Sequence, residues 1–323
     1  MSPRTRLLNK LVDLTNGGIR VIDKRTGWPG AVEIVAASKT AHVSLHVGLV
    51  GLSGRGRDHV ERRYQNPVNC DPVIALPGTM PMLLGLWTQE TTPVVVAHDA
   101  LRRLGHGGAR NSLFVGLAAL QAAAANGWAE YVSDTGERIV AFRPELFPVY
   151  AEMFIRGVLL EPDTMASVFL SADVDLNEPA SVERARRATS ALARSARFRV
   201  EIVAAYNGCC AMCGLGLGLV EGAHIYPASA PSSSDDVRNG LALCPNHHAA
   251  FDRYLLCLQP STHRILLHPS LAVAAATLPA AAAFVSSTSP VLIAPRSARD
   301  GASDQMIEAR NSYFEDAYSW VGA

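Results

Sequence analysis

The sequence predicts an α+β protein of two domains joined by a helical linker. Its 323 residues are enough for two hydrophobic cores, and 49% apolar with 18% charged residues is typical of a globular chain. Apolar strand-like runs alternate with short helical patterns in the first half, whereas four cysteines fall between residues 209 and 244. We expect a mixed α/β domain over residues 1–160, a linker over 161–196 and a metal-centred domain over 197–323.

Charge and composition restrict the partners and the location of the chain. Net charge is zero, so any contact with nucleic acid must come from local clusters of Arg and Lys. The N-terminus lacks the apolar core of a signal peptide, and no run approaches the roughly 18–20 apolar residues of a membrane span. We therefore expect no membrane partner. Four of the six cysteines have metal-ligand rather than disulfide spacing, which favours a reducing cytoplasm.

The elements of the first domain follow from hydrophobic periodicity and turn residues. In chain order we predict a helix over residues 7–14, strands within 18–23 and 42–50, and buried strands within 73–87 and 93–97. A strand beginning at Leu113 continues as an alanine-rich helix, and Asn126-Gly127 is its predicted C-cap. A hairpin and a last helix, with Pro144 in its first turn, complete the domain.

Two basic segments of the first domain are candidates for DNA contact. Residues 51–67 (GLSGRGRDHVERRYQNP) read as a glycine-flanked arginine loop, which brings amides and guanidinium groups to phosphates. Residues 98–112 (HDALRRLGHGGARNS) leave a buried strand, with Asp99 the only nearby acid. An ordinary solvated loop is the alternative in both cases. The candidate contacts are Arg57, Arg62, Arg63, Tyr64, Pro67, Arg102, His106, Gly107, Gly108 and Arg110.

The linker and the second domain are less regular. Residues 161–196 turn acidic and then read as a polar Ala/Arg helix whose arginines face solvent or DNA. We predict a helix over 197–206, a short strand within 219–227, a second strand or turn within 239–244 and a helix over 245–252. Residues 271–300 carry little signal, and residues 304–320 read as an amphipathic helix.

Cysteine and histidine spacing in the second domain predicts a structural Zn²⁺ site. Cys210 and Cys213 form a C-x-x-C pair, and Cys244 and His247 form a second pair 31 positions later. Two such turns, each presenting two ligands, suit a tetrahedral Zn²⁺. Cys209 competes with Cys210, but only Cys210 has the proper spacing to Cys213.

Three polar residues near these ligands are not needed for zinc: His224, Asn239 and His248. The stretches A-H-I-x-P, D-x-x-x-N-G-L-A-L-C and H-H-x-x-F-D resemble the HNH endonucleases of the McrA-like restriction group over about 70 residues. The resemblance implies a ββα-metal module that hydrolyses DNA phosphodiesters. His224 would then be the general base, Asn239 would hold its ring, and His248 would bind a catalytic Mg²⁺ or Mn²⁺.

The sequence departs from this family at one ligand position. Many HNH enzymes carry an acid immediately before the first histidine, whereas this chain has Ala223. We expect the ion to draw on Asp252, which lies one helical turn after His248, with Asp235 or Asp236 as further options. The alternative is a purely structural zinc module, which leaves the three polar residues unexplained.

The N-terminal pattern resembles the sulfur-binding domains that are fused to McrA-like type IV restriction enzymes. The strand PVVVA, the basic loop after it and the earlier RGRDxxERRYQNP carry the resemblance, without one diagnostic motif. It implies recognition of phosphorothioate DNA, because an apolar cup favours sulfur over the better hydrated oxygen. Candidates for the cup are Tyr64, Pro67, Ala100 and the Gly107-Gly108 backbone.

Two other functions remain open at this point. The first domain would read 5-methylcytosine if it flipped a base into an aromatic pocket, for which Trp87, Trp128 and Tyr64 are the main aromatic choices. The chain would be a DNA-binding regulator if the nuclease fold were inactive. In each case the partner is double-stranded DNA. One HNH site cuts one strand, so a double-strand break would come from a homodimer or from two nicks.

Overall fold

The fold is described from a computed structural model that covers residues 2–23, 28–36, 40–54, 56–65, 71–105 and 113–322. The chain divides into two compact units, Met1–Ala193 and Arg194–Ala323. Both units mix helices and strands, which confirms the predicted α+β class. Within the described ranges, no helix combines the length and the apolar character needed to cross a bilayer.

The first unit begins with a capped helix and contains the larger sheet. Its elements in chain order are α1 (Pro3–Leu14), β1 (Ile19–Asp23), β2 (Gly30–Val35), β3 (Thr40–Leu52), β4 (Glu61–Gln65), β5 (Met80–Trp87), β6 (Val94–His98), β7 (Leu113–Gly116), α2 (Leu117–Asn126), β8 (Trp128–Val132), β9 (Arg138–Phe142), α3 (Phe147–Arg156) and α4 (Pro162–Ala172). Helix α5 (Pro179–Ala205) begins in this unit and ends in the second.

Local signals explain two helix boundaries. The Ser2 hydroxyl accepts a hydrogen bond from the Thr5 amide at 3.1 Å, and Pro3 occupies the first turn, so α1 begins earlier than predicted. Helix α2 ends at Asn126, and Gly127 follows with φ of 90°, a conformation that favours glycine. The predicted C-cap is therefore confirmed.

Nine strands of the described chain form the sheet of the first unit, in the order β1-β2-β3-β5-β6-β9-β8, with β4 pairing both β3 and β7. Strand β3 is the centre: β2 pairs with its first half, β4 with its end, and β5 runs alongside. The β3–β5 pair is parallel, and its neighbours are antiparallel. Helix α2 covers one face, where Leu120 packs with Tyr64, and α1 covers the other, where Leu8 contacts Gly30.

Two sequence expectations change in this unit. Residues 61–65, predicted as loop, form β4, because Tyr64 belongs in the core and its strand pairs on both sides. Residues 161–196, predicted as an acidic stretch followed by a polar linker helix, contain the expected helix as the first part of α5 but also α4, of which Met165, Val168 and Ala172 are buried. An apolar face on α4 explains why this stretch is ordered.

The second unit carries two small antiparallel hairpins and four helices after α5, counted over residues 194–322. They are β10 (Glu221–His224), β11 (Gly240–Leu243), α6 (Pro245–Asp252), β12 (Leu256–Leu258), β13 (Ile265–Leu267), α7 (Pro269–Ala275), α8 (Pro279–Ser287) and α9 (Asp304–Tyr313). The order β10, β11, α6 is the predicted strand, loop, strand, helix module. Helices α7 and α8 occupy the stretch that carried little sequence signal, and α9 ends earlier than expected.

We predict that Gly48→Ala destabilises the first unit. A Cβ at position 48 would lie 2.2 Å from Tyr64 Cζ, and that ring is 1% exposed and cannot move aside. Overpacking of this kind costs about 1–3 kcal/mol. The measurement is denaturant unfolding of the full chain followed through a first-unit signal.

The matched control is Gly51→Ala on the same strand. Its Cβ would meet Gln65 Nε2 at 2.7 Å, the free end of an exposed side chain that can rotate. Equal stability of the two variants would contradict the close packing of Tyr64 on β3.

Candidate active site

The β10–β11 hairpin lies directly against helix α5. A Cβ at Gly240 would fall 2.1 Å from Ile202 Cδ1, and one at Gly222 would fall 2.7 Å from the Arg199 Cα atom. Only glycine permits so close an approach of strand to helix. The register pairs His224 with Gly240, so the hairpin holds His224 at a fixed place beside the helix.

The His224 ring is held by two contacts. It stacks on Phe198 of α5 with 3.8 Å between centroids and 13° between planes. Its Nε2 atom lies 3.0 Å from Asp235 Oδ1, and the side chain is 18% exposed. Because a carboxylate only accepts, Nε2 carries the proton in the neutral ring, and Nδ1 keeps its lone pair. The arrangement therefore presents a base.

Asn239 is fully buried and does not bond to the His224 ring through its side chain. Its Oδ1 accepts from the Tyr226 amide at 2.8 Å, and its Nδ2 donates to the carbonyls of Tyr226 at 3.0 Å and Ser234 at 2.9 Å. Its own carbonyl accepts from the amide of Ile225 at 2.8 Å. Asn239 thus braces the backbone on both sides of the loop, and Asp235 takes the role on the ring that the sequence assigned to Asn239.

His248 lies between two carboxylates. Its Nδ1 is 3.1 Å from Glu221 Oε2, and its Nε2 is 3.5 Å from Asp252 Oδ2. Asp252 is the predicted partner one helical turn away, whereas Glu221 was not predicted. The two acids are 62% and 61% exposed, so solvent and ligands reach them. Strand periodicity could have found Glu221, because it lies two residues before Ala223 and shares that residue's face of β10.

The four predicted zinc ligands come together. Ligand atoms of Cys210, Cys213, Cys244 and His247 all lie within 4.8 Å of one another, and no other group of this kind occurs among the described residues. Cys213 Sγ is 3.9 Å from Cys244 Sγ, which in turn is 3.1 Å from His247 Nδ1. Cys209 is outside the group, as its spacing predicted.

The chemistry of these donors fits a metal ion. Burial, and then the nearby sulfurs of Cys210 and Cys244, raises the pKa of the Cys213 thiol to about 12. Thiolates at such a site need a cation to offset their charge, which a soft or borderline divalent ion supplies. The Nε2 atom of His247 lies 3.0 Å from the Thr288 hydroxyl, so the ring is oriented with Nδ1 towards the sulfurs.

A buried arginine of α9 ties the hairpin to α6. The Arg310 guanidinium donates to the Ile225 carbonyl at 3.0 Å and to the Phe251 carbonyl at 2.7 Å, and Nε donates to the Tyr318 hydroxyl at 2.7 Å. Its plane also lies 3.7 Å from the centroid of the Phe251 ring. Arg310 therefore links Ile225, the residue after His224, to the helix that carries His248.

The first basic segment is partly used within the fold. Arg57 is 64% exposed, with Nε 3.9 Å from Glu61 Oε2. Arg62 donates through Nε to Gln89 at 3.0 Å and through Nη1 to the carbonyl of Asp58. Of these two arginines, Arg57 is the one with a guanidinium largely available to a phosphate.

The second basic segment is ion-paired where it is described. Arg102 lies 3.3 Å from Asp99, and Arg103 lies 2.5 Å from Glu137, whose side chain is 3% exposed. The expectation that Asp99 was the only acid nearby is therefore wrong, because Glu137 is close in space and distant in sequence.

The predicted sulfur cup is only partly visible. Tyr64 and Ala100 are 1% and 5% exposed, so neither offers a surface to a backbone sulfur. Arg63 is half-buried on β4. The remaining predicted contacts lie outside the described residues: Pro67, His106, Gly107, Gly108 and Arg110.

Comparison with known proteins agrees with the geometry of the second unit. Residues 210–259 match the family described as "HNH endonuclease". This segment carries the four cysteine and histidine metal ligands together with His224, Asn239 and His248, so the module that holds the site has the sequence of an HNH endonuclease. Residues 41–151 match the family described as "Methylase-associated X1".

One solved structure is similar over most of the chain. It is described as "Modification dependent TagI restriction endonuclease", with 14% sequence identity, a TM-score of 0.29, and coverage of 84% of this chain and 81% of that chain. No curated protein matches the chain.

We predict that Cys213→Ser removes bound zinc and unfolds the second unit. Metal binding supplies much of the folding free energy in a small module of this kind. The expected result is a fall from about one zinc per chain to none, measured by elemental analysis, with loss of the second unit's protease resistance.

Cys209→Ser is the matched control, because its thiol lies outside the four-ligand group and its Sγ is 3.6 Å from the Asn207 carbonyl. This variant should keep its zinc. A Cys213→Ser protein that retains full zinc and full protease resistance would rule out the assigned ligand set.

Proposed function

We propose that the chain is a modification-dependent DNA endonuclease, in which the second unit cuts DNA and the first unit selects marked DNA. The observation that carries the cutting role is the presence, in one HNH-matched module, of a carboxylate-held histidine and a histidine between two carboxylates. These are the two groups that phosphodiester hydrolysis requires: a base for water, and ligands for a charge-neutralising ion.

His224 acts as the general base. Its Nδ1 accepts a proton from the attacking water, and the Asp235 carboxylate stabilises the imidazolium that forms. The stacked Phe198 ring fixes the plane of the imidazole, so little reorientation is needed. Asn239 contributes indirectly, since it holds the backbone of Tyr226 and Ser234 around this site.

His248, Glu221 and Asp252 would hold the catalytic divalent ion. One imidazole and two hard carboxylates suit Mg²⁺ or Mn²⁺, and both acids are exposed enough to share an ion with DNA oxygens. Bound there, such an ion neutralises charge on the scissile phosphate and stabilises the leaving oxygen. Glu221 replaces the acid that is missing at Ala223.

A groove of about 690 Å³ beside this cluster suits the sugar-phosphate backbone. Glu221, His248 and Arg199 of α5 all line it, and Arg199 is exposed. A guanidinium in the same groove attracts a phosphate towards the ion ligands. His224 does not line the groove, but it lies on the same strand, two residues after Gly222, which does.

Selection of marked DNA is assigned to the first unit. An HNH module makes few contacts to bases, so discrimination needs a separate recognition surface. The family that matches residues 41–151 is described as methylase-associated, which favours a mark made by a DNA methylase. A phosphorothioate backbone is the other candidate mark, with Arg57 as the exposed phosphate contact. A homodimer would supply the second strand cut.

We predict that Glu221→Gln weakens both Mn²⁺ binding and cleavage. The amide keeps the shape of the side chain but removes its charge. Loss of a residue that only hydrogen-bonds to a metal ligand lowers metal affinity about tenfold or more, so loss of a ligand itself should lower the Mn²⁺ affinity at least about tenfold. Mn²⁺ titration followed by electron paramagnetic resonance, on zinc-loaded full-length protein, measures the affinity.

The control is Glu308→Gln, an exposed acid on α9 away from the cluster. If Glu221→Gln and Glu308→Gln bound Mn²⁺ equally well, Glu221 would not be a ligand.

We predict that the protein cleaves marked duplexes at least about tenfold faster than unmarked ones, which corresponds to about 1.4 kcal/mol. Matched duplexes carry 5-methylcytosine, phosphorothioate or no mark, and cleavage with Mg²⁺ or Mn²⁺ is followed on gels. His224→Ala should lower the rate by about 10²–10⁴ and leave DNA binding intact.

His263→Ala is the control, because His263 pairs with Asp304 outside the site. Equal cleavage of all duplexes would mean that the protein is a nuclease that does not select marked DNA. No cleavage of any duplex would favour a DNA-binding regulator.

A further inference from the structure

The first unit contains a cavity of about 550 Å³, whose lining includes Ala100 and Arg102 of the predicted recognition segment. It lies where β5 begins, β6 ends and β9 begins, beside helix α3. Cavities of roughly 300–1,000 Å³ are typical of sites for small ligands. All of its lining residues belong to the first unit, within the part of the chain that matches the methylase-associated family and the few residues after it.

Its walls are mostly apolar and aromatic. Ala97 and Val140, paired across β6 and β9, form the sheet side. Tyr150 and Phe154 of α3 form the helix side, with 6.1 Å between ring centroids and 31° between planes. Phe142 stacks behind Tyr150 at 5.0 Å, which fixes that ring. Aromatic walls backed in this way favour a flat, partly apolar ligand.

Four charged side chains line the cavity, and two of them, Glu137 and Arg138, are ion-paired to Arg103 and Glu130. Asp99 and Arg102 both line it and are 40% and 49% exposed at the side chain. Asp99 Oδ1 accepts from the Leu101 amide at 2.9 Å, and Oδ2 lies 3.3 Å from Arg102 Nε. Burial, and then the charge of Asp99, raises the pKa of Tyr150, so its hydroxyl remains a donor at all physiological pH values. The Asp99 carboxylate, the Tyr150 hydroxyl and the Arg102 guanidinium therefore belong to residues that line the same cavity.

We propose that this cavity binds a cytosine that carries a C5 substituent and is flipped out of the DNA duplex. The inference rests on the proposed function, because it names the mark that the first unit selects. A carboxylate is the group that accepts from the exocyclic amine of cytosine. The aromatic walls stack on a base, the apolar walls accommodate a methyl group, and Arg102 at the edge meets the flanking phosphate.

The cavity suits a base better than a backbone sulfur. A phosphorothioate stays on the outside of the duplex and needs only a shallow apolar surface, whereas a recessed cavity with an aromatic side suits a base that has left the stack. Flipping costs a few kcal/mol, which stacking and the carboxylate contact offset.

Two variants test the cavity in different ways. Val158→Trp fills it from a half-buried lining position without removing a core side chain. Asp99→Asn keeps one oxygen to accept from the Leu101 amide but replaces the second with a donor, which the cytosine amine cannot use. Leu170→Trp is the matched control, since Leu170 is 85% exposed on α4 and does not line the cavity.

The experiment measures binding of the full chain in a His224→Ala background, so that cleavage does not interfere. The duplexes carry 5-methylcytosine, 5-hydroxymethylcytosine, phosphorothioate or no mark, and 2-aminopurine beside the marked cytosine reports unstacking. The expected preference for a C5-modified duplex is about tenfold or more, with increased 2-aminopurine fluorescence. Val158→Trp and Asp99→Asn should each remove most of both signals, and Leu170→Trp should keep them.

Each outcome separates this inference from the proposed function. A preference for C5-modified DNA that survives both cavity variants would overturn the cavity assignment while selection by the first unit stands. A preference for phosphorothioate alone, with no fluorescence change, would also overturn it. No preference for any mark would refute the proposed function itself. Thermal unfolding of each variant identifies folding defects. If Val158→Trp does not fold, the test rests on Asp99→Asn, which leaves the side-chain volume unchanged.

Discussion

Consecutive side chains of an α-helix point about 100° apart, and this angle separates the two duties of helix α6. His247 is turned inwards, where its Nδ1 meets Cys244 and its ring lies 4.8 Å from Phe284. His248 is turned outwards, where its Nδ1 meets Glu221. Because the metal group fixes His247, the direction of His248 is fixed as well. An ion bound by this group would therefore orient His248 without touching it.

The rest of the module depends on that orientation being kept while DNA binds. Helix α5 supports the hairpin from behind, through backbone contact at Gly222 and Gly240 and the Phe198 ring under His224. Arg310 connects the hairpin to α6 from the other end. Contacts of this kind are short and buried, so the proposed base and the proposed ion ligands are held by the core and need no loop closure to assemble.

Much of this module could be predicted from sequence because its signals are local. The C-x-x-C spacing identified the metal group, and helix geometry separated the adjacent histidines, of which His247 joins that group and His248 lies outside it. Contacts between distant residues were not predictable: Glu221 is 27 positions from His248, and Glu137 is 34 from Arg103. Tyr64 was misjudged for the same reason, since the polar residues around it suggested a loop while its two pairing strands place it in the core.

Electrostatics connects the two units functionally. Equal numbers of acidic and basic residues, 29 of each, leave little general attraction to a polyanion. The proposed ion ligands Glu221 and Asp252 are exposed carboxylates that repel a phosphate until a cation neutralises them. A cutting module with weak affinity of its own acts mainly where another surface retains the DNA. Under the proposed function, the first unit then controls cleavage by setting residence time, and selectivity requires no change in the chemistry of the site.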